Sequence, residues 1–258
     1  MIVADFHIGF EYELAESGIS IPSQTPKMLS RLLKVIEEYK PNVLVFLGDV
    51  KHAIPKISLG EWRDVPGFFE SVLGVVDKVL VVVGNHDGDL EPLVPSQVRM
   101  IPSDGVIIGR KRRVGLFHGH AWPSDNVLAA DVLVMGHIHP VVRFYDRYGF
   151  SIVRQVWVKA HCDGTVLAEA YLKYLRVKLV GASPREVFKK KFGDSVGNPE
   201  LIVVPAFNDL LGGLAVNRAD GRLIGPVLRS SCVDLDSSEL YFLDGSYVGT
   251  VGSTRPRF

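Results

Sequence analysis

Five short aliphatic runs in this chain end at residues that can bind metal or move protons. The clearest is 79–83, where five apolar residues, four of them β-branched, lead through Gly84 into Asn85, His86 and Asp87. A bare apolar run of this kind is typical of a strand that is buried on both faces of a sheet. The same pattern occurs at 1–7, 43–49, 114–118 and 132–139. We therefore expect strands whose polar carboxyl ends meet at one edge of a sheet.

The composition limits the classes of protein that fit. The chain has 258 residues, 47% of them hydrophobic, which suffices for a sizeable core. Its 29 basic and 29 acidic residues cancel, so no overall charge would attract nucleic acid or membrane, although a local basic patch stays open. Two cysteines are too few for a disulfide framework and indicate a reducing compartment.

Targeting features are also absent from the sequence. No signal pattern precedes the first strand, and no apolar run approaches the length of a membrane span. We expect a cytoplasmic protein with no membrane partner. Met1 opens directly into the first apolar run, as expected of a chain that is truncated at its start or read from a late start.

The first half of the chain alternates between strand and helix signals. A helix is predicted from Thr25 as N-cap, because Pro26 suits the first helical position, and a second helix is predicted near 66–76. Each helix lies between two of the apolar runs, which is the crossover connection that parallel strands require.

The second half is rich in antiparallel signals. Hairpins are predicted around 109–113, 145–149 and 244–245, and a capping box at Ser183 predicts a short helix. We predict one α/β domain of two stacked sheets over 1–258. In it, 1–139 carries the metal motifs, and 140–258 supplies second-sheet strands and a C-terminal elaboration.

The polar residues at the strand ends have the chemistry of a metal site. Side chains two residues apart on an extended strand point to the same side, so the pairs 5/7 and 137/139 should each present two ligands. The full set has two carboxylates, one amide and four imidazoles: Asp5, His7, Asp49, Asn85, His118, His137 and His139. Seven ligands exceed the needs of one ion and suit two ions about 3.5–4 Å apart. Oxygen and imidazole donors favour Mn, Fe or Zn over Mg or Ca, and the lack of cysteine argues against structural zinc.

Each motif by itself has an ordinary alternative. A Gly-Asp after a strand is most often a turn, a lone His-X-His is most often not a metal site, and 85–87 could be a loop with satisfied side chains. Seven ligand-type residues at five strand ends favour a dinuclear site over these alternatives.

In combination, the motifs resemble the five-block signature of the calcineurin-like metallophosphoesterases. The blocks stand in the family's order: Asp5-X-His7, Gly48-Asp49, Gly84-Asn85-His86-Asp87, His118-Gly119 and Gly136-His137-Ile138-His139. The surrounding residues, including 48–52, 118–120 and 205–213, resemble a narrower group, the archaeal ICC-like predicted phosphoesterases. That group is related to bacterial phosphoesterases encoded beside a DNA ligase and helicase. The resemblance implies a four-layer α/β/β/α sandwich of two mixed sheets, in agreement with the two sheets predicted above.

The resemblance also implies a role for each matching residue. One metal would be held by Asp5, His7 and His139, the other by Asn85, His118 and His137, with Asp49 between them. His86 would be the catalytic imidazole near the leaving group, and Asp87 either orients it or packs in a solvent-facing loop. A hydroxide lying between the metals would attack the phosphate in line.

Two histidines near the motifs have open roles. His52 stands where many family members carry Asp, a departure that resembles the double-strand-break repair nuclease of the superfamily; it either contacts substrate or packs in a loop. His120 either contacts substrate or packs on Trp122. The basic run 110–113 either binds nucleic-acid phosphates or keeps a hairpin tip solvated.

The leading function is hydrolysis of phosphodiester bonds, with nucleic acid (DNA or RNA) or nucleotides as the phosphoester substrate. A phosphodiesterase or phosphatase for small phosphorylated metabolites is the alternative. A non-catalytic scaffold of the same fold is disfavoured, because the full ligand set is present.

Overall fold

In a computed structural model, residues 1–179, 181–218 and 223–256 are described, and the chain divides into two compact units. The first comprises Met1–Pro102 and Ala206–Leu210; the second comprises Ser103–Pro205 and Leu211–Phe258. The single domain over 1–258 stays a prediction, and its last two residues lie outside the described part. Among the residues that the structure describes, no helix has the length and hydrophobicity of a membrane span.

The first unit contains a parallel sheet. Its strands, in spatial order, are β1 (Ile2–Val3), β2 (Val43–Phe46), β3 (Lys78–Val82) and β4 (Arg99–Ile101). Its helices are α1 (Phe10–Glu16), α2 (Thr25–Tyr39) and α3 (Leu59–Leu73). Strands β2 and β3 are buried at every residue except the first, which explains their bare aliphatic sequences.

Aromatic packing holds the core of the first unit. Phe46 of β2 lies 5.9 Å from Phe68 and 5.3 Å from Phe69 of α3, measured between ring centroids. Each fully buried phenylalanine contributes about 1.5–3 kcal/mol through loss of apolar surface. Helix α3 begins earlier than the predicted 66–76, because a capping box between Ser58 and Glu61 starts it and Pro66 lies inside it.

The second unit contains a mixed sheet of seven strands, in the order β13-β12-β10-β11-β7-β6-β5. The strands of this unit are β5 (Val106–Ile108), β6 (Val114–Leu116), β7 (Val132–Met135), β8 (Val141–Tyr145), β9 (Ser151–Gln155), β10 (Trp157–His161), β11 (Glu200–Val203), β12 (Glu239–Tyr241) and β13 (Tyr247–Thr250). Strands β8 and β9 form a separate two-stranded sheet. The helices are α4 (Asp125–Leu128), α5 (Gly164–Tyr174), α6 (Pro184–Phe192) and α7 (Pro226–Arg229).

The three predicted hairpins of the second unit are present. Strand pairs β5–β6, β8–β9 and β12–β13 are antiparallel. Strand β7 instead pairs in parallel with both β6 and β11 and is buried along its length. The α/β class with two main sheets is therefore confirmed; the first sheet is parallel throughout its described strands, and the second is mixed.

Candidate functional site

The predicted ligands have an unusual backbone conformation. Asp5, His7 and Asp49 of the first unit have φ of 58°, 44° and 51°, and His137 and His139 of the second have 71° and 44°. These are five of the eight non-glycine residues with positive φ in the described chain. A non-glycine residue in this left-handed region costs about 1–3 kcal/mol, and such residues cluster at functional sites, where their surroundings impose the conformation.

This conformation corrects the prediction that the ligand pairs lie on extended strands. Strand β1 ends at Val3 and β7 at Met135, so both pairs lie in loops beyond the strands. Asp5 and His7 nevertheless present ligand atoms within 4.8 Å of each other. The left-handed loop brings these side chains together, and the pleat of a strand does not.

In the first unit, the loops after β1 and β2 run side by side. The amide of Asp5 donates to the carbonyl of Gly48 at 3.1 Å, and that of His7 to the carbonyl of Asp49 at 2.9 Å. His7 Nε2 thereby lies 3.4 Å from Asp49 Oδ2. The loop after β3 approaches just as closely, since a Cβ on Gly84 would lie 2.2 Å from Asp49 Oδ1. Only glycine fits at that position.

The buried carboxylate of Asp87 links the loops after β2 and β3. Its Oδ1 accepts the amides of Val50 at 2.8 Å and Lys51 at 3.3 Å, and its Oδ2 accepts the amide of Gly84 at 2.9 Å. The carboxylate is buried, so the solvent-facing alternative for Asp87 is wrong. Its proposed orientation of His86 stays a prediction.

His86 lies against the Asp49 loop. Its amide donates to Asp49 Oδ1 at 2.9 Å, and its ring Nδ1–H donates to the carbonyl of His52 at 2.5 Å. A carbonyl can only accept, so Nδ1 carries a proton, and Nε2 is the nitrogen left to exchange a proton with a substrate. The ring lies 4.6 Å from that of His7 in a T-shaped contact.

His52 lies between His7 and Glu13. Its Nδ1 is 3.0 Å from His7 Nδ1, and its Nε2 is 2.5 Å from Glu13 Oε2. One assignment satisfies both contacts: His7 Nδ1–H donates to His52, and His52 Nε2–H donates to Glu13. His7 Nε2, the atom beside Asp49, then carries the lone pair that a metal needs. The structure thus gives His52 a role in orienting His7, and its substrate contact stays a prediction.

In the second unit, His118 follows β6 and His137 follows β7. Their backbones continue the pairing of these strands, because the amide of Gly136 donates to the carbonyl of His118 at 3.0 Å. The two rings lie 5.0 Å apart, with ligand atoms within 4.8 Å. The His120 ring lies 5.3 Å from that of His118 and 6.1 Å from that of His137, and its contact with substrate stays a prediction.

His139 is oriented by a backbone carbonyl. Its Nδ1–H donates to the carbonyl of Gly212 at 3.2 Å, which leaves the lone pair on Nε2. A side chain at the nearby Gly213 would collide with this loop, since a Cβ there would lie 2.1 Å from the carbonyl oxygen of His139. Asn85, by contrast, is exposed in the first unit, and its ligand role stays a prediction.

Two positioning residues in the first unit escaped the sequence interpretation. Glu61 is buried, and its Oε1 accepts the amides of His52 at 2.9 Å and Ala53 at 2.7 Å. The capping-box spacing from Ser58 was a signal for Glu61. Asn208 is also buried, and its Nδ2 donates to the carbonyl of Phe6, between the ligands Asp5 and His7, at 2.9 Å. Its partner is 202 residues away in the chain, so no local signal exists.

The donor set of each unit fits a divalent metal. Asp5, His7 and Asp49 of the first unit are buried, as is His118 of the second. Burial of carboxylates is costly unless an opposite charge compensates it, and a divalent cation supplies that charge. Imidazole and carboxylate donors without thiolate suit Mn, Fe or Zn.

Comparison with known proteins gives concordant results. The family model described as calcineurin-like phosphoesterase matches residues 1–180. Phosphodiesterase YfcE of Escherichia coli K12 is 32% identical over 112 residues, which are 42% of this chain and 60% of that protein. The chain therefore spans less than two thirds of this relative. The solved structure of nuclease MPE from Pseudomonas putida is similar in fold, with a TM-score of 0.51 and 20% identity over 93% of this chain and 82% of that one.

Proposed function

Because the chain belongs to the calcineurin-like phosphoesterase family, we propose that it hydrolyses phosphodiester bonds with two divalent metal ions. One ion would be held by Asp5, His7 and His139, the other by Asn85, His118 and His137, with Asp49 shared between them. Manganese is the proposed metal, and iron or zinc are the alternatives, because the donors mix oxygen with imidazole.

The backbone conformation of the ligands carries this proposal. Five of the seven proposed ligands occupy left-handed backbone conformations, which residues other than glycine adopt at a cost. A fold keeps such strain where it serves a function. Ordinary turns would not require it at both residues of the pairs 5/7 and 137/139. The family match supports the same conclusion independently.

The residues of the chain divide the proposed chemistry between them. When bound, the metal ions polarise the phosphate and make water a nucleophile at neutral pH. His52 and Glu13 keep His7 in the tautomer that can bind metal. His86, with its Nδ1–H held by the His52 carbonyl, would act in its imidazolium form and donate the second proton, on Nε2, to the leaving oxygen.

The proposed substrate is a phosphodiester of nucleotides or nucleic acid, with small phosphorylated metabolites as the alternative. A relative named phosphodiesterase supports a diester. The basic hairpin tip supports a long nucleic acid only weakly, because Arg113 pairs with Asp194 at 2.9 Å and Arg112 lies 3.6 Å from Glu200. Acidic partners thus offset two of its four positive charges.

Reconstitution with metal tests the proposal. The chelated protein is loaded with Mn²⁺, Fe²⁺, Zn²⁺ or Mg²⁺ and assayed on bis-p-nitrophenyl phosphate, p-nitrophenyl phosphate, cyclic nucleotides and DNA. We expect Mn²⁺-dependent activity that favours the diester over the monoester. Asp49→Asn should lose both metal and activity. Activity only on monoesters would indicate a phosphatase, and wild-type protein that holds two equivalents of metal yet hydrolyses no ester would refute the proposal.

Two histidine variants separate catalysis from metal binding. His86→Ala should reduce diester hydrolysis by about 10²–10⁴-fold, the usual contribution of an acid or base, while the metal content stays unchanged by elemental analysis. His161→Ala, at an exposed histidine of β10, is the matched control and should change neither quantity. Loss of metal in the His86 variant would make His86 a ligand.

A further inference from the structure

The second unit contains a cleft beside its proposed metal ligands. Its volume is about 740 Å³, and its wall includes His120, Trp122, His137, Tyr174, Pro226 and Arg229. This volume lies in the range of small-molecule sites, about 300–1,000 Å³. Two of the wall residues are the proposed ligand His137 and its neighbour His120. The cleft is therefore continuous with the ligand set of this unit.

Aromatic rings form part of the wall. Trp122 packs against the hydrophobic core and lies 5.5 Å from Tyr171, so its ring is held in place. Tyr174, at the end of α5, lies 5.9 Å from Trp122 and is 59% exposed. An exposed aromatic face beside a fixed one is suited to stacking on a planar group, and nucleic-acid bases stack on such side chains with little sequence preference.

A guanidinium lies in the same wall. Arg229 is exposed, and its Nε–H donates to the carbonyl of Leu223 at 3.1 Å, which leaves the terminal nitrogens to face a ligand. Among the residues that the structure describes, no acidic side chain forms an ion pair with it, in contrast to Arg112 and Arg113 of the hairpin tip. A guanidinium that is oriented by one bond, with no ion pair to a described residue, is suited to bind a phosphate through two parallel hydrogen bonds.

We propose that this cleft binds one nucleotide of the substrate, with its base on Trp122 and Tyr174 and a second phosphate on Arg229. This inference rests on the proposed function, since hydrolysis occurs at the neighbouring diester. There, an oxygen from water bonds to phosphorus, one P–O ester bond breaks, and the released alcohol takes the proton. The nucleotide comes either from a small nucleotide diester or from a single strand of nucleic acid.

A dinucleotide and its base-free analogue test the stacking. The substrates are thymidylyl-(3′→5′)-thymidine and the same compound with hydrogen in place of both bases, assayed with the Mn²⁺-loaded protein. Wild type should favour the first in kcat/KM by about tenfold or more, and Tyr174→Ala should remove most of that preference. Tyr174→Phe, which keeps the ring, should retain it. Tyr148→Ala, at a similarly exposed tyrosine, is the matched control and should behave as wild type.

A 5′-phosphorylated dinucleotide tests Arg229. The added phosphate should lower KM in wild type, and Arg229→Gln should abolish that gain. Arg154→Gln is the control, because Arg154 is also exposed and also donates to a backbone carbonyl. A decathymidylate assigns the source: a higher kcat/KM than for the dinucleotide, with a steep salt dependence, indicates a strand, and the reverse indicates a small diester.

The outcomes separate the two proposals. Wild-type protein that hydrolyses bis-p-nitrophenyl phosphate but does not discriminate the base-free analogue would overturn the nucleotide site and leave the phosphodiesterase intact. Equal losses on both dinucleotides in Tyr174→Ala would also overturn it. Wild-type protein with metal bound and no activity on any diester would overturn the phosphodiesterase itself.

Discussion

The ligand loops of the two units are held by different kinds of contact. In the first unit, buried polar side chains add to the backbone bonds between the loops, because Asp87, Glu61 and Asn208 each bond to the loop backbone. In the second unit, the backbone bonds to itself: the amide of Gly136 donates to the carbonyl of His118, and that of Leu214 to the carbonyl of Ile138.

The two kinds of contact predict different sensitivities to substitution in the two units. A buried carboxylate or amide that is deleted leaves backbone donors or acceptors without partners, which costs more than the bond itself contributed. A loop held by backbone bonds in a tight space loses little when a side chain shrinks, but it cannot accept added atoms. The first unit should therefore be sensitive to removal of atoms, and the second to their addition.

Asp87→Ala should have the largest effect. It leaves three buried amides, those of Val50, Lys51 and Gly84, without their acceptor, and at about 1–3 kcal/mol each we expect a loss of about 4 kcal/mol in the free energy of unfolding. Urea unfolding of the metal-free protein, followed by circular dichroism, measures it. Asp244→Ala is the control, because Asp244 accepts one amide, that of Ser246, on the surface. Equal losses in the two variants would show that burial of the Asp87 carboxylate is unimportant.

Gly213→Ala tests the second unit by adding one carbon. The new Cβ would lie 2.1 Å from the carbonyl oxygen of His139 and 2.6 Å from Val141 Cγ1, so the loop must shift. We expect a loss of about 2 kcal/mol and weaker Mn²⁺ binding, measured by unfolding and by isothermal titration. Gly212→Ala is the adjacent control, with no atom within 4 Å of its added Cβ. If both variants lose the same stability, the collision of the added Cβ with the His139 loop is not the cause of the loss.

Two buried asparagines, one in each unit, separate support of the fold from support of the ligands. Asn208 bonds to the Phe6 carbonyl between two proposed ligands, whereas Asn217 bonds to Arg143 and Thr254. Replacement of either by Ala should cost about 1–2 kcal/mol. Only Asn208→Ala should also weaken Mn²⁺ binding, by about tenfold, as loss of a residue that orients ligands usually does.

The aspartate variant sharpens that test. Asn208→Asp keeps the oxygen that accepts the Leu210 amide but loses the Nδ2 donor to Phe6. It should weaken Mn²⁺ binding as the alanine variant does. Unchanged binding would show that the bond to Phe6 does not position the ligands.

Sequence periodicity was sufficient for the five aliphatic strands, but the expectation of a single sheet edge was wrong. The motifs after β1, β2 and β3 follow strands of the four-stranded sheet, and those after β6 and β7 follow strands of the seven-stranded sheet. The predicted strand at 79–83 corresponds to β3 (Lys78–Val82), and the hairpin signal at 244–245 corresponds to β12–β13. Both signals are local, because a strand buried on both faces must be apolar throughout and a tight turn needs particular residues.

What could not be predicted depends on distant or rare features. Asn208 supports the loop after β1 across 202 residues, so its role emerges only when the chain has folded. The left-handed conformations of Asp5 and His7 are uncommon for any residue with a side chain, and nothing local distinguishes them from extended backbone. The start of α3 was predicted too late because Pro66, which favours a first turn, lies inside this helix.

Asp163 provides the test with the smallest expected effect. Like that of Asp87, its carboxylate accepts backbone amides, but it lies at the surface of the second unit. It precedes α5 and accepts the amides of Thr165 at 2.7 Å and Val166 at 3.3 Å, and these bonds lower the pKa of its carboxyl below the usual value. A lowered folded-state pKa means that the stabilisation is present above the unfolded pKa, about 3.9, and is lost as the pH falls through the folded value. Asp163→Ala should therefore cost about 1 kcal/mol at pH 7, and the difference from wild type should shrink as the pH falls below about 4. Urea unfolding from pH 7 to pH 3 measures this, and a difference that stays constant over that range would show that the charge of Asp163 does not contribute.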